Sequence, residues 1–386
     1  MTMLTGRDLS RSRGIDSFRS PCFFLLSSLR LCASAVKQKP QLVAQLAIVL
    51  ACLAAQAQAA GPTHAIVRSE SKSIKATLSV VIETPDLETA EWVFFVAQPP
   101  QLPSQSMQKV ELRPKGVEIR DLSPRKRPLV RAQVSTKGRK PLVHRLDAVA
   151  QFEGTLFARR LVLREPGKSY EPVDELAPAS RVVNLAPSKL YDFESDKFAA
   201  WLDERKLRRG ANETELDFAR RAFLAIKGSF SYEYELEMNR EASHVCEAGK
   251  SDCGGLSVLF ASVMRANGLP ARALAGCWAK SAEPGKLAGG AQYNQVHVKA
   301  EVYLTDIGWL PVDLASAVNH DRSRDGLYFF GNDKGDFLTM HIDPEWKVDS
   351  IFFGEKTFDW LQQYHFYAAG QGKLTNVKQT AGWKVE

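Results

Sequence analysis

The stretch from Lys250 to Pro270, KSDCGGLSVLFASVMRANGLP, constrains this chain more than any other. Leu256, Leu259, Phe260, Val263 and Met264 recur at i, i+3, i+4, i+7 and i+8, the spacing of a helix with one apolar face. Ser251 or Asp252 can cap its start, and Asn267-Gly268 ahead of Pro270 is a stop signal. This predicts Cys253 in the first turn, where unpaired backbone N–H groups and the positive end of the helix dipole favour a thiolate. Gly254 and Gly255 are expected to leave the sulfur unshielded and open to another backbone, such as a substrate's. Taken alone, the same stretch also fits a small buried cysteine opening an ordinary core helix, since free cysteine is among the most buried residue types.

The residues after the helix bear on that choice. ARALAGCW reads as a strand, KSAEPGKLAGGAQ as a Gly/Pro-rich loop, and YNQVHVKAEVYL alternates. Val296, Val298, Ala300, Val302 and Leu304 share one face of that strand, and Gln295, His297, Lys299, Glu301 and Tyr303 share the other. A turn at Asp306–Gly308 leads into WLPVDL. His297 and Asp313 are sixteen residues apart with their midpoint at Thr305, so a hairpin centred there sets them opposite each other on one face. Singly, His297 fits a surface strand histidine and Asp313 a strand-end cap. Together with Cys253 they form a nucleophile, a base and an orienting carboxylate, and a carboxylate behind an imidazole fixes its tautomer and favours its cation.

A length of 386 residues suggests two or three domains. The net charge of +7 suggests nucleic acid until it is apportioned. Residues 1–59 hold seven Lys/Arg and two Asp/Glu, which leaves 44 basic against 42 acidic residues for the rest, so nucleic-acid binding has little support. Lys37 and Lys39, the apolar run Leu42–Ala55 and Ala57-Gln58-Ala59 have the order of a secretory signal peptide, with residues 1–60 as leader. The run is short for a bilayer span, and Val49-Leu50-Ala51 before Cys52 loosely resembles a lipoprotein cleavage box. The expected location is therefore periplasmic or extracellular, with a lipid anchor at Cys52 as a variant. Cleavage near Ala59 leaves Cys246, Cys253 and Cys277, an odd number in which Cys246 and Cys277 can pair and leave Cys253 free. Neither C-x-x-C pairs nor His clusters at ligand spacing occur, so no metal site or cofactor is expected.

Residues 61–165 read as short strands, including ATLSVVIET, EWVFFVA, QKVELRP, PLVRAQVS and AVAQFEGTLFARRLVLR, with Pro- and Ser-rich turns between them. A two-sheet sandwich fits this pattern. Arg125-Lys126-Arg127 and Arg159-Arg160 are expected on solvated turns and strand faces. Residues 166–186 form a Pro-rich linker, and the catalytic region is expected over 187–386. It opens with two helical patterns, one burying Phe193, Phe198, Trp201 and Leu202 and the other Leu216, Ala219, Phe223 and Ile226.

On these residues the chain resembles the bacterial transglutaminase-like superfamily. DCGGLSVLFASVMRANGLPARALAG is similar to its cysteine helix and the next strand, VHVKAEVYLTDIGWLPVDLA to its histidine–aspartate hairpin, and DGLYFFGNDKGDF to the segment after that hairpin. The resemblance covers roughly residues 187 to 350 and implies a papain-like α+β core behind an all-β sandwich. It implies Cys253 as nucleophile, His297 as base and Asp313 as orienter in acyl transfer on peptide or isopeptide amides. Hydrolysis is the first expectation; glutamine–lysine cross-linking and a non-catalytic envelope-binding module are the alternatives. The expected partner is a peptide or protein substrate, cell-envelope material included. Tyr232, His244 and Trp278 are the candidates for a side-chain oxyanion donor. Two positions depart from the pattern: Lys299 stands where an aromatic is often found two residues after the histidine, and Cys277 where one is often found after the glycine.

Overall fold

In the computed structural model, residues 63–137 and 144–386 are described; the predicted leader, Cys52 and the Ala57-Gln58-Ala59 site included, lies outside them. The β region holds six strands: β1 (His64–Glu83), β2 (Leu87–Ala97), β3 (Gln105–Arg113), β4 (Val117–Arg120), β5 (Pro128–Ser135) and β6 (Arg145–Leu163). Alternation in β1 buries Ala76, Leu78, Val80 and Ile82 on one face. The continuous run in β2 is buried from Glu91 to Ala97, as an interior strand should be.

The helical region builds a second layer. Its helices are α1 (Pro178–Leu185), α2 (Asp196–Glu204), α3 (Glu215–Ser229), α4 (Ala242–Ala248), α5 (Cys253–Ala266) and α6 (Leu314–His320). The predicted linker thus carries a helix of its own, with Pro178 at the first turn where a missing N–H costs nothing. Ser195 caps α2 through Phe198 N–H, and Thr214 caps α3 through Asp217 N–H. Its strands include β7 (Ala271–Trp278), β8 (Val296–Leu304), β9 (Gly308–Val312), β10 (Asn332–Asp333) and β11 (Phe337–Ile342). Four of them form an antiparallel sheet in the order β9-β8-β7-β11. Every residue of α5 from Gly254 to Arg265 is buried, because sheet and helices surround it.

Two strands at the C-terminus, β12 (His365–Gly372) and β13 (Lys378–Val385), return to the β region, where β12 pairs with β2 and β13 with β1. One sandwich sheet runs β12-β2-β5-β4; the other runs β10-β6-β1-β13, with β3 also pairing with β6. The fold is α+β, with a papain-like helix-and-sheet layer beside a β-sandwich. Residues 365–386, which the sequence groups with the helical region, therefore complete the sandwich.

Of the basic residues expected on solvated faces, Lys126 and Arg160 are exposed, Arg125 is half-buried, and Arg127 and Arg159 are buried. Arg127 donates to Asp121 Oδ2 at 2.9 Å and to the carbonyls of Ile342, Asp343, Pro344 and Glu345. Arg159 is 1 % exposed and pairs with Glu301, which Arg272 holds from the other side at 2.6 Å. Asp343 accepts from Arg125, from Arg265 at 2.6 Å, from Tyr191 Oη at 2.8 Å and from Ala273 N–H at 2.7 Å. These pairs join the sandwich to the helical layer, so the charges are satisfied by partners that are remote in sequence. Among the described residues, no helix is long and apolar enough to cross a membrane.

Candidate active site

Cys253 is the first residue of α5, so its backbone N–H has no partner within the helix. Asp252 caps the helix by accepting from Gly255 N–H at 3.0 Å. Arg240 grips the same carboxylate, with Nε 3.0 Å from both oxygens and Nη2 2.7 Å from Oδ2. Burial works against the Arg240 charge, but Asp252 and Cys253 outweigh it and raise its pKa above the ordinary value. The two glycines act differently from the sequence expectation. A Cβ on Gly254 would stand 3.2 Å from Arg240 Cδ and 3.3 Å from Trp360 Cζ2, and one on Gly255 would stand 2.0 Å from Ser251 Oγ. Both are buried, and they let neighbouring side chains close around the helix start rather than expose it.

His297 lies in β8 opposite Gly276 of β7. Its Nε2 is 3.0 Å from each oxygen of Asp313, which leaves Nδ1 for the Cys253 side. Asp313 also caps α6, accepting from Ser316 N–H at 2.9 Å and Ser316 Oγ at 2.8 Å. The ladder pairs Ala300 with Val312 and Leu304 with Gly308, so the hairpin is centred one residue beyond Thr305. Asp313 therefore lies across from Lys299 and diagonal to His297. The shared face survives because the register moved by an even step.

The electrostatics arise from this packing. Burial disfavours an imidazolium at His297, yet the charge and hydrogen bonds of Asp313, with those of Cys253, raise its pKa to about 10. Burial likewise disfavours a carboxylate at Asp313, but His297 first and then Lys299 and Ser316 draw it down to about 2. Trp278 stacks on His297 with centroids 4.7 Å apart and an interplanar angle of 22°, and Phe337 meets the ring edge-on at 6.1 Å. Gln362 Nε2 donates to His297 O at 2.8 Å and to Gly276 O at 3.3 Å.

The three sequence candidates for nucleophile, base and orienter are thus brought together. Of the oxyanion candidates, Trp278 is at the site through its stack on His297. Tyr232 pairs with Ser251 across a short parallel bridge, and burial together with the charges of Cys253 and Asp252 raises its pKa. His244 is exposed on α4. Cys246, Cys253 and Cys277 are all free, so a Cys246–Cys277 bridge is not formed. Cys246 donates to Ser243 O in α4, while Cys277 is buried in β7 and reaches toward Gln362 O. Sequence reasoning missed Arg240, Trp360 and Gln362, which lie outside the motifs and carry no local signal, and Phe337, the last residue of the DGLYFFGNDKGDF segment.

Residues 204–314 match the family model described as transglutaminase-like superfamily. The chain carries a transglutaminase-like domain. Its match opens at the end of α2 and closes at the first residue of α6, enclosing Cys253, His297 and Asp313. A candidate cysteine protease from Cytophaga hutchinsonii is similar in structure, with 13 % identity, 83 % of this chain and 100 % of that chain covered, and a TM-score of 0.46. The periplasmic domain of TgpA from Pseudomonas aeruginosa is also similar, with 17 % identity, coverage of 67 % and 97 %, and a TM-score of 0.33. No protein of curated function matches the chain by sequence.

Proposed function

We propose that the transglutaminase-like domain is a cysteine-dependent acyl-transfer enzyme acting on peptide or isopeptide amides, with hydrolysis as its main outcome. The observation that carries this reading is His297, bound at 3.0 Å to both oxygens of Asp313 beside a cysteine at the first position of a buried helix. In the proposed cycle Cys253 Sγ attacks the amide carbonyl, with its own backbone N–H stabilising the oxyanion. The C–N bond breaks, and protonated His297 gives its proton to the leaving amine. Neutral His297 then takes a proton from water, which attacks the thioester; the acid leaves and Cys253 returns as thiolate. A primary amine in place of water gives cross-linking instead.

The substrate proposed is a peptide or protein of the cell envelope, reached by export through the leader. N-terminal sequencing from the native host should then begin near Ala60, or at a lipid-modified Cys52; an intact Met1 on a cytoplasmic protein would sink the export part. For the chemistry, an amide substrate incubated with and without excess primary amine is analysed by mass spectrometry. Free acid in both arms supports hydrolysis, and an amine adduct supports transfer. Loss of either product in Cys253→Ala ties the reaction to the thiol. Product formation that persists in Cys253→Ala would overturn the assignment of the thiol, and its absence from wild type together with a Cys253 inert to iodoacetamide at pH 6 would leave only the non-catalytic binding module.

A further inference from the structure

Two residues after His297 the strand carries a buried lysine. Lys299 is 6 % exposed, and its ammonium stands 4.6 Å from the Trp278 ring centre, 4.8 Å from that of Phe337 and 3.5 Å from the Asp333 carboxylate. Trp278 is the ring that stacks on His297. Asp333 sits in β10, which pairs with β6 of the sandwich, and its second oxygen is 3.6 Å from the fully buried Arg159. Across the strand lies Asp313. Lys334 and Asp336 complete the charged surroundings, lining with Lys299 and Asp313 a small cavity of about 60 Å³. Burying an ammonium is costly unless it is paired, and an apolar side chain of similar length would avoid the cost.

We propose that Lys299 is a positioning residue for His297: held by Asp333, it pins Trp278 against the imidazole and sets a positive field that opposes the field of Asp313. The proposal rests on the acyl-transfer reading, which supplies the need. A general acid works best when its proton affinity is near that of the medium. Asp313 and a thiolate at Cys253 both strengthen the hold of the imidazole on its proton, and a cation on the same strand face weakens it.

The test is a pH titration of the His297 imidazole by long-range proton–nitrogen NMR, with its signals assigned by their loss in His297→Gln. Lys299→Met is expected to move the midpoint up by about two pH units, the effect of one charge two residues along a strand at an effective dielectric near 20. Asp333→Asn is expected to move it down, because the ammonium then faces the ring without its counter-ion. Lys299→Arg keeps the charge and should leave the midpoint in place. Opposite shifts in the two charge-removing variants support the proposal. A midpoint unmoved in Lys299→Met, or moved the same way in both, overturns it. If Cys253 proves unreactive while the opposite shifts appear, the acyl-transfer reading falls and the electrostatic role of Lys299 stands.

Discussion

Asp313 serves two elements with one carboxylate, capping α6 through Ser316 and holding the imidazole through Nε2. Asp313→Asn keeps the shape and the cap while losing the charge behind the ring. Turnover is therefore expected to fall about a hundredfold or more with the fold intact, checked by activity beside a thermal melt; wild-type rates would remove Asp313 from the proposed mechanism. The histidines give a pH dependence of stability. His297, raised to about 10 from 6.5, contributes fully below pH 6.5 and loses that contribution as pH rises toward 10. Burial holds His341 at about 3 and His365 at about 4, so these two favour the unfolded chain increasingly as pH falls below 6.5. The urea midpoint is expected to peak near pH 6.5, and the alkaline decline should flatten in Asp313→Asn. A midpoint unchanged from pH 6.5 to 10 contradicts this.

Helix α5 and strand β8 carry the proposed nucleophile and base, and β7, which pairs with β8 at His297, depends on close approach. A Cβ on Gly276 would lie 2.0 Å from Leu338 O on β11. Backbone on that side cannot yield as a flexible side chain does, so Gly276→Ala is expected to destabilise by about 3 kcal/mol, read by urea denaturation. An effect within a few tenths would mean that β11 shifts freely. Gly276 also faces His297 in the ladder, and Gln362 bridges the two carbonyls. Any such shift would therefore be transmitted to the proposed catalytic ring. At the other end of the pair, Arg240 fixes the cap of α5 from a segment twelve residues upstream, which ties the loop before α4 to the position of Cys253.

Across the whole molecule, Asp343 and the C-terminal strands make the sandwich and the helical layer interdependent. Asp343 is 3 % exposed and takes Arg125 from the sandwich side and Arg265 from α5. Removing it leaves two guanidinium groups without their common partner. Asp343→Ala is expected to cost about 3–5 kcal/mol, with both layers melting together in calorimetry. Two separate transitions would show layers that fold independently. Deleting residues 365–386 strips β12 from β2 and β13 from β1, uncovering Trp92, Phe94 and Phe152. The shortened chain is expected to be insoluble, and a soluble monomer with native circular dichroism would contradict that.

The local elements and the candidate triad were legible in the residues alone. Helical spacing, the Asp252 cap and the Asn267-Gly268 stop are local, and they place α5 and Cys253 directly. Alternation in β8 assigned His297 and Lys299 to one face, and parity alone kept Asp313 on that face when the register moved. The surroundings of these residues come from tertiary packing. Gly254 and Gly255 looked like openings because a sequence cannot show which side chains close on a glycine. Arg125, Arg127 and Arg159 looked solvated because their counter-charges and carbonyl partners lie far along the chain. The return of β12 and β13 was hidden for the same reason. Pairing of strands from opposite ends of a chain depends on packing and burial rather than on local preference, so nothing in residues 365–386 announces the partner.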